Sequence, residues 1–184
     1  VKITDKNEDI MLFTKFGQCI RFHESDVRPT GRTTMGVIGM NLVPDDVVIA
    51  MQTSTMGESV MLVSENGLGK CTLISEFTAQ NRGGKGVKTI EITEKTGHLV
   101  GIEGVTDDDD LMLITKSGTA IRMDISTIRQ TGRAAQGVKL IELQKRNDTL
   151  MSGCIVPKDD EENGDAALNG ENGENGENNN ETNE

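Results

Sequence analysis

Three segments of this chain, residues 9–43, 59–93 and 110–144, align with one another without gaps. Met-Leu pairs recur at Met11-Leu12, Met61-Leu62 and Met112-Leu113. Gly17, Gly67 and Gly118 hold one common position, and Ser25, Ser75 and Ser126 another. The same holds for Arg32, Arg82 and Arg133, and for Gly36, Gly86 and Gly137. A period of about fifty residues marks a supersecondary unit that cannot bury its apolar face alone, so neighbouring units must stack.

Each unit reads as β structure. The apolar runs 10–14, 60–64 and 111–115 predict short buried strands. A turn containing Gly17, Gly67 or Gly118 predicts a hairpin. Second strands are predicted at 19–22, 70–73 and 120–123. A third opens at each Gly-Val pair; further on, Ile90 and Ile92 flank Glu91, and Ile141 and Leu143 flank Glu142, a period-2 pattern. Fourth strands fit 47–51, 99–102 and 150–156, and residues 1–4 resemble the fourth strand of a preceding unit. Four strands in about fifty residues is the size of a propeller blade. The predicted fold is therefore all-β, with three four-stranded blades at about 5–53, 54–104 and 105–157. Rings of this kind typically close with four to eight blades, so three imply further blades, an oligomer or exposed edges.

Composition narrows the function. The 184 residues carry a net charge of −11, with no Trp or Tyr and four Phe. Most of that charge lies in 158–184, a run of Asn, Gly and Glu with ten acidic residues and one Lys. This tail is expected to be disordered. It either solubilises the chain or competes for a basic surface elsewhere in it. No apolar run approaches the roughly 18–20 residues that span a bilayer, and no secretory signal pattern is present. The start at Val1 suggests a piece of a longer protein. Cys19, Cys71 and Cys154 are odd in number and lack CxxC spacing, which predicts inert thiols in a reducing cytoplasm. His23 and His98 do not recur, and Asp107–Asp110 reads as a solvated turn. No nucleophile–base pair or phosphate-loop motif is apparent, so no catalytic or metal-binding residue is predicted.

The chemistry concentrates in a basic, Gly-rich loop between the second and third strands of each unit. These loops carry Arg28 and Arg32, then Arg82, Lys85 and Lys88, then Arg129, Arg133 and Lys139. Corresponding loops of successive blades should form a stripe along one rim. Such a stripe suits the phosphate backbone of a duplex, which positions a protein without reading sequence. The second-strand cations Arg21, Lys70 and Arg122 complete the predicted DNA-contacting set. Single-strand stacking is disfavoured because the loops lack aromatic residues.

The unit pattern resembles the C-terminal domain of the A subunit of bacterial DNA gyrase, a type IIA topoisomerase. That family's pattern is a Met-Leu strand, a Gly turn, Ile-Arg, Ser-x-x-Arg, Gly-Arg and Gly-Val. It is matched at Ile20-Arg21, Ser25, Arg28, Gly31-Arg32 and Gly36-Val37, and again at Ile121-Arg122, Ser126, Arg129, Gly132-Arg133 and Gly137-Val138. The middle unit departs at Lys70-Cys71, Thr78 and Asn81. Gln80, Asn81, Arg82, Gly83, Gly84, Lys85 and Gly86 resemble the family's wrapping signature, Q-R-R-G-G-K/R-G, at six of seven positions. In the family that signature lies in the first blade, so here it is read as the equivalent loop of a late blade.

The resemblance implies a β-pinwheel, a propeller-like ring of six blades that exchange strands, with this chain as its second half. It implies a non-catalytic module that binds and wraps double-stranded DNA without sequence preference. ATP, Mg²⁺ and the cleaving Tyr belong to other parts of the holoenzyme, an A2B2 complex of the remainder of gyrase A with gyrase B. The implied location is the bacterial cytoplasm, at the nucleoid. The alternatives are the equivalent domain of topoisomerase IV and a propeller that acts as a protein-interaction scaffold.

Overall fold

The computed structural model describes residues 1–143 and 147–158. The tail expected to be disordered, 158–184, lies outside the described residues apart from Lys158. Over the described residues the fold is all-β, with eleven strands in three sheets. The first unit supplies β1 (Asp9–Thr14), β2 (Gln18–His23) and β3 (Val48–Thr53). The second supplies β4 (Ser59–Ser64), β5 (Leu68–Leu73), β6 (Val87–Lys88) and β7 (Leu99–Val105). The third supplies β8 (Asp109–Thr115), β9 (Ala120–Asp124), β10 (Val138–Lys139) and β11 (Leu150–Pro157). A short 3-10 turn follows β2, β5 and β9.

The sheets do not coincide with the units. Strand order is β3-β1-β2-β6 in the first sheet, β10-β5-β4-β7 in the second and β11-β8-β9 in the third. Thus β6, from the second unit, completes the first sheet by pairing Val87 with Cys19 and Lys88 with Gln18. β10, from the third unit, completes the second sheet by pairing Val138 with Gly69 and Lys139 with Leu68. The joints repeat bond for bond. Thr89 N donates to Gly17 O at 2.8 Å, as Leu140 N donates to Gly67 O at 2.9 Å. Leu99 N donates to Lys15 O at 3.1 Å, as Leu150 N donates to Glu65 O at 2.8 Å.

Two expectations are corrected by this exchange. The strand expected at Gly36-Val37 is not formed, whereas its counterparts Val87-Lys88 and Val138-Lys139 each pair with the sheet of the unit before them. Residues 1–4 form no strand either, and Val1 and Ile3 are exposed. The third sheet correspondingly has three strands, and β9 forms its edge. Its turn glycine shows the difference. A Cβ on Gly17 would touch Ile90, and one on Gly67 would touch Ile141, whereas one on Gly118 would meet nothing within 4 Å.

The core lies between successive sheets. Met11 and Phe13 of the first sheet pack against Val60 and Leu62 of the second, with Phe77, Ile90 and Leu99. The opposite face of β4 presents Met61 and Val63 to Leu111, Leu113, Ile125 and Leu150 of the third unit. All six residues of β4 are therefore buried, while β8 is buried only at alternate positions over most of its length. The three apolar runs look alike in sequence, yet only the middle one has a sheet on both faces.

Candidate nucleic-acid interface

The second and third basic loops each lean on the unit before them. Gln80 N donates to Arg21 O at 2.7 Å, and Thr131 N donates to Cys71 O at 2.9 Å. Gly86 and Gly137 make this approach possible. Both have positive φ (78° and 86°), and a Cβ on either would lie 2.3 or 2.5 Å from the carbonyl oxygen of Cys19 or Gly69.

The loops are also tied to one another. Gly83 N donates to Gly39 O at 2.8 Å, and Asn41 N donates to Gly84 O at 2.9 Å. The recurring arginine is the main tie. Arg82 donates through Nη1 to Ile38 O and through Nε to Asp26 O at 3.2 Å. One unit on, Arg133 donates through Nη1 to Lys88 O at 2.9 Å. Ile38 and Lys88 hold the same unit position, so the bond recurs with the repeat. The three loops thus form one continuous strip. Its cations are fixed by their neighbours as well as by their own strands.

Ten of the predicted cations occupy three different settings. Arg28, Arg32, Lys85, Lys88, Arg129 and Lys139 are exposed on the strip. Arg82 and Arg133 are half-buried, with part of each guanidinium committed to the loop before it. Gln80, Gly83, Gly84 and Gly86 are likewise half-buried, and Asn81 is exposed. Arg21 and Arg122 are held by ion pairs, to Asp9 at 2.7 Å and to Asp110 at 2.6 Å.

Lys70 is a correction. It is completely buried, and its ammonium donates to Gly132 O at 2.9 Å and Arg133 O at 2.5 Å. It supports the third loop from beneath and offers no charge to the surface. The expected set of site residues also omits two acidic partners. Lys88 pairs with Glu91, and Lys139 with Glu142, each at 2.6 Å and three residues apart. The recurring Lys-x-x-Glu spacing is the sequence signal for them.

Burial, followed by the nearby Arg133 charge, lowers the Lys70 pKa from 10.5 to about 8, against a smaller opposing effect of Glu76. The unfolded chain therefore holds the proton more tightly between about pH 8 and 10.5. Stability must then rise with pH across that window, and the full cost of burying the charge is felt below it. Urea unfolding at pH 7, 8, 9 and 10 should show wild type gaining about 1–3 kcal/mol over Lys70→Met between pH 8 and 10. Parallel pH profiles would show that Lys70 keeps its proton when folded.

The remaining polar groups have local roles. His23 accepts from Ser25 N at 3.2 Å at the turn after β2, and His98 stacks on Phe16 beside Glu65. Asp109 accepts from Thr106 N at 2.8 Å at the β7–β8 turn, while Asp110 holds Arg122. Among the described residues, no group of three His, Cys, Asp or Glu is placed to hold a metal.

Residues 8–55, 58–105 and 109–153 match a family described as DNA gyrase C-terminal domain, beta-propeller, so each structural unit gives its own match. The chain belongs to the DNA gyrase C-terminal domain family. The DNA gyrase A subunit of Staphylococcus epidermidis is 48% identical over 145 residues, covering 78% of this chain and 16% of that protein. The A subunit of Staphylococcus aureus strain MRSA252 is 44% identical over 169 residues, covering 90% of this chain and 19% of that protein. The chain thus spans less than a fifth of the length of these gyrase subunits. A solved gyrase A C-terminal domain superposes with a TM-score of 0.73 at 31% identity, covering 80% of this chain and 50% of its own. The C-terminal domain of DNA topoisomerase IV superposes at 0.78 with 25% identity, covering 85% of this chain and 49% of its own. The gyrase domain is the nearer in sequence of these two, and the all-β pinwheel is common to both.

Proposed function

We propose that this chain is a non-catalytic module that binds and wraps double-stranded DNA as part of the gyrase A subunit, and so supports ATP-dependent supercoiling by the holoenzyme. The carrying observation is the strip of linked loops, with eight Arg and Lys against two Glu over 28–40, 78–91 and 129–142. Arg28, Arg32, Lys85, Lys88, Arg129 and Lys139 are the phosphate contacts, with Arg82 and Arg133 fixing the spacing between loops. Phosphate contacts alone give binding without sequence preference. In this reading the remainder of gyrase A and gyrase B complete an A2B2 complex in the bacterial cytoplasm, and ATP, Mg²⁺ and strand cleavage are handled there. Met35, Ile38 and Leu42 are exposed on the first loop. The positions of Met35 and Ile38 are taken in the next unit by the exposed Lys85 and Lys88, so these side chains lie along the same solvent-facing strip rather than on a separate scaffold surface.

The test is duplex affinity against salt. If these six contacts each neutralise one phosphate, log K should fall with log[salt] at a slope of about −5.4. Lys85→Ala should lower affinity equally for unrelated sequences and reduce the slope by about one. Affinity independent of salt, or a variant effect confined to one sequence, would exclude the rim as the DNA-binding surface.

A further inference from the structure

The two joints between units share a frame but are filled differently. In the first, Arg21 reaches over from β2. Its Nε donates to Asp9 Oδ2 at 2.7 Å, and its Nη1 donates to Ile74 O and Phe77 O at 3.0 and 3.1 Å. A guanidinium thus fills a cage closed by the 3-10 turn of the following unit. In the second joint, Cys71 takes the place of Arg21 and Ser59 that of Asp9. The ladders fix this: Met61 faces Cys71 as Met11 faces Arg21, and Ser59 faces Leu73 as Asp9 faces His23.

The wall of the cage is retained. Ile128 N donates to Ile125 O at 2.9 Å, as Phe77 N donates to Ile74 O at 3.1 Å. Ile128 is also smaller than Phe77. A cavity of about 370 Å³ lies here, bordered by Cys71, Ser59, Ile125, Ile128, Glu58 and Asp107.

We propose that this cavity is a binding site for a guanidinium cation. The position is one where the same fold, one unit earlier, already holds a guanidinium on the two equivalent carbonyls. A planar cation with several N–H donors matches acceptors that diverge in this way. Glu58 and Asp107 supply negative charge at the border. The Asp107 charge is felt inside: after burial, it is the second cause that raises the Cys71 thiol to about 11. Arg129 also borders the cavity and is exposed, and Gln130 Nε2 donates to Ser59 Oγ at 2.9 Å, so an incoming cation shares the border with one native positive charge. The volume is at the lower end of small-molecule sites, enough for a guanidinium head and a short stem.

Cys71 reports on occupancy. The exposed Cys154 is first changed to serine, and Cys19, buried in the other joint, serves as the internal control. Labelling of Cys71 by a small thiol reagent should slow at least threefold, and saturably, in millimolar methylguanidinium chloride. The same concentration of NaCl should leave it unchanged, and Cys19 should respond to neither. Glu58→Gln with Asp107→Asn should weaken the protection severalfold. Protection by N-acetylarginine amide as well would mark an arginine side chain as the occupant, and protection by methylguanidinium alone a free small cation. Equal Cys71 rates in the two salts, or parallel changes at Cys19 and Cys71, would overturn the assignment. These readings need no DNA, so they stand or fall apart from the rim.

Discussion

Gly86→Ala is expected to lower stability by about 2–5 kcal/mol, through two separable costs. A left-handed backbone costs an L-residue about 1–2 kcal/mol, and Gly86 has φ 78°. The new Cβ would also sit 2.3 Å from Cys19 O and 2.7 Å from Cys19 C, where only movement of β2 or β6 can relieve it. Overpacking of that kind costs about 1–3 kcal/mol. Gly118→Ala isolates the first cost, since Gly118 has φ 87° with open space around it, and should lose only about 1–2 kcal/mol. Paired urea titrations measure the difference. Equal losses at the two sites would mean that the strand exchange tolerates separation at β6.

Phe77→Ala is expected to cost about 3–5 kcal/mol. Phe77 is fully buried and arrives from the second unit onto Phe13 of the first, with ring centroids 5.8 Å apart and planes at 78°. It therefore removes packing across a joint rather than within one sheet. A double-mutant cycle with Phe13→Leu should give a coupling of about 0.5–1.5 kcal/mol beyond the area lost. Additive losses would place the energy in burial alone.

Most of the strands could be read from the sequence because each feature occurs three times, so chance patterns are averaged away. The partners of the third strands could not. Val87-Lys88 and Val138-Lys139 are two-residue ladders, and nothing in so short a segment says which sheet it joins. The loop arginines show a different limit. Recurrence of Arg32, Arg82 and Arg133 is sound evidence that the position matters, but a guanidinium that ties loops together recurs as faithfully as one that meets phosphate. Lys70 misleads for the opposite reason. A lysine next to a cysteine in a polar strand looks exposed until a later loop, more than sixty residues on, closes over it with two carbonyls.

Strand exchange also sets a timetable for synthesis. Val87 follows its partner Cys19 by 68 residues, and Val138 follows Gly69 by 69. At about 5–20 residues per second, each sheet waits about 3–14 s for the ribosome to deliver its last strand. Throughout that interval the outer side of β2, and later of β5, is a bare edge of the kind that recruits other chains. The hazard moves down the nascent chain one unit at a time, so the place most in need of a chaperone is always the newest hairpin.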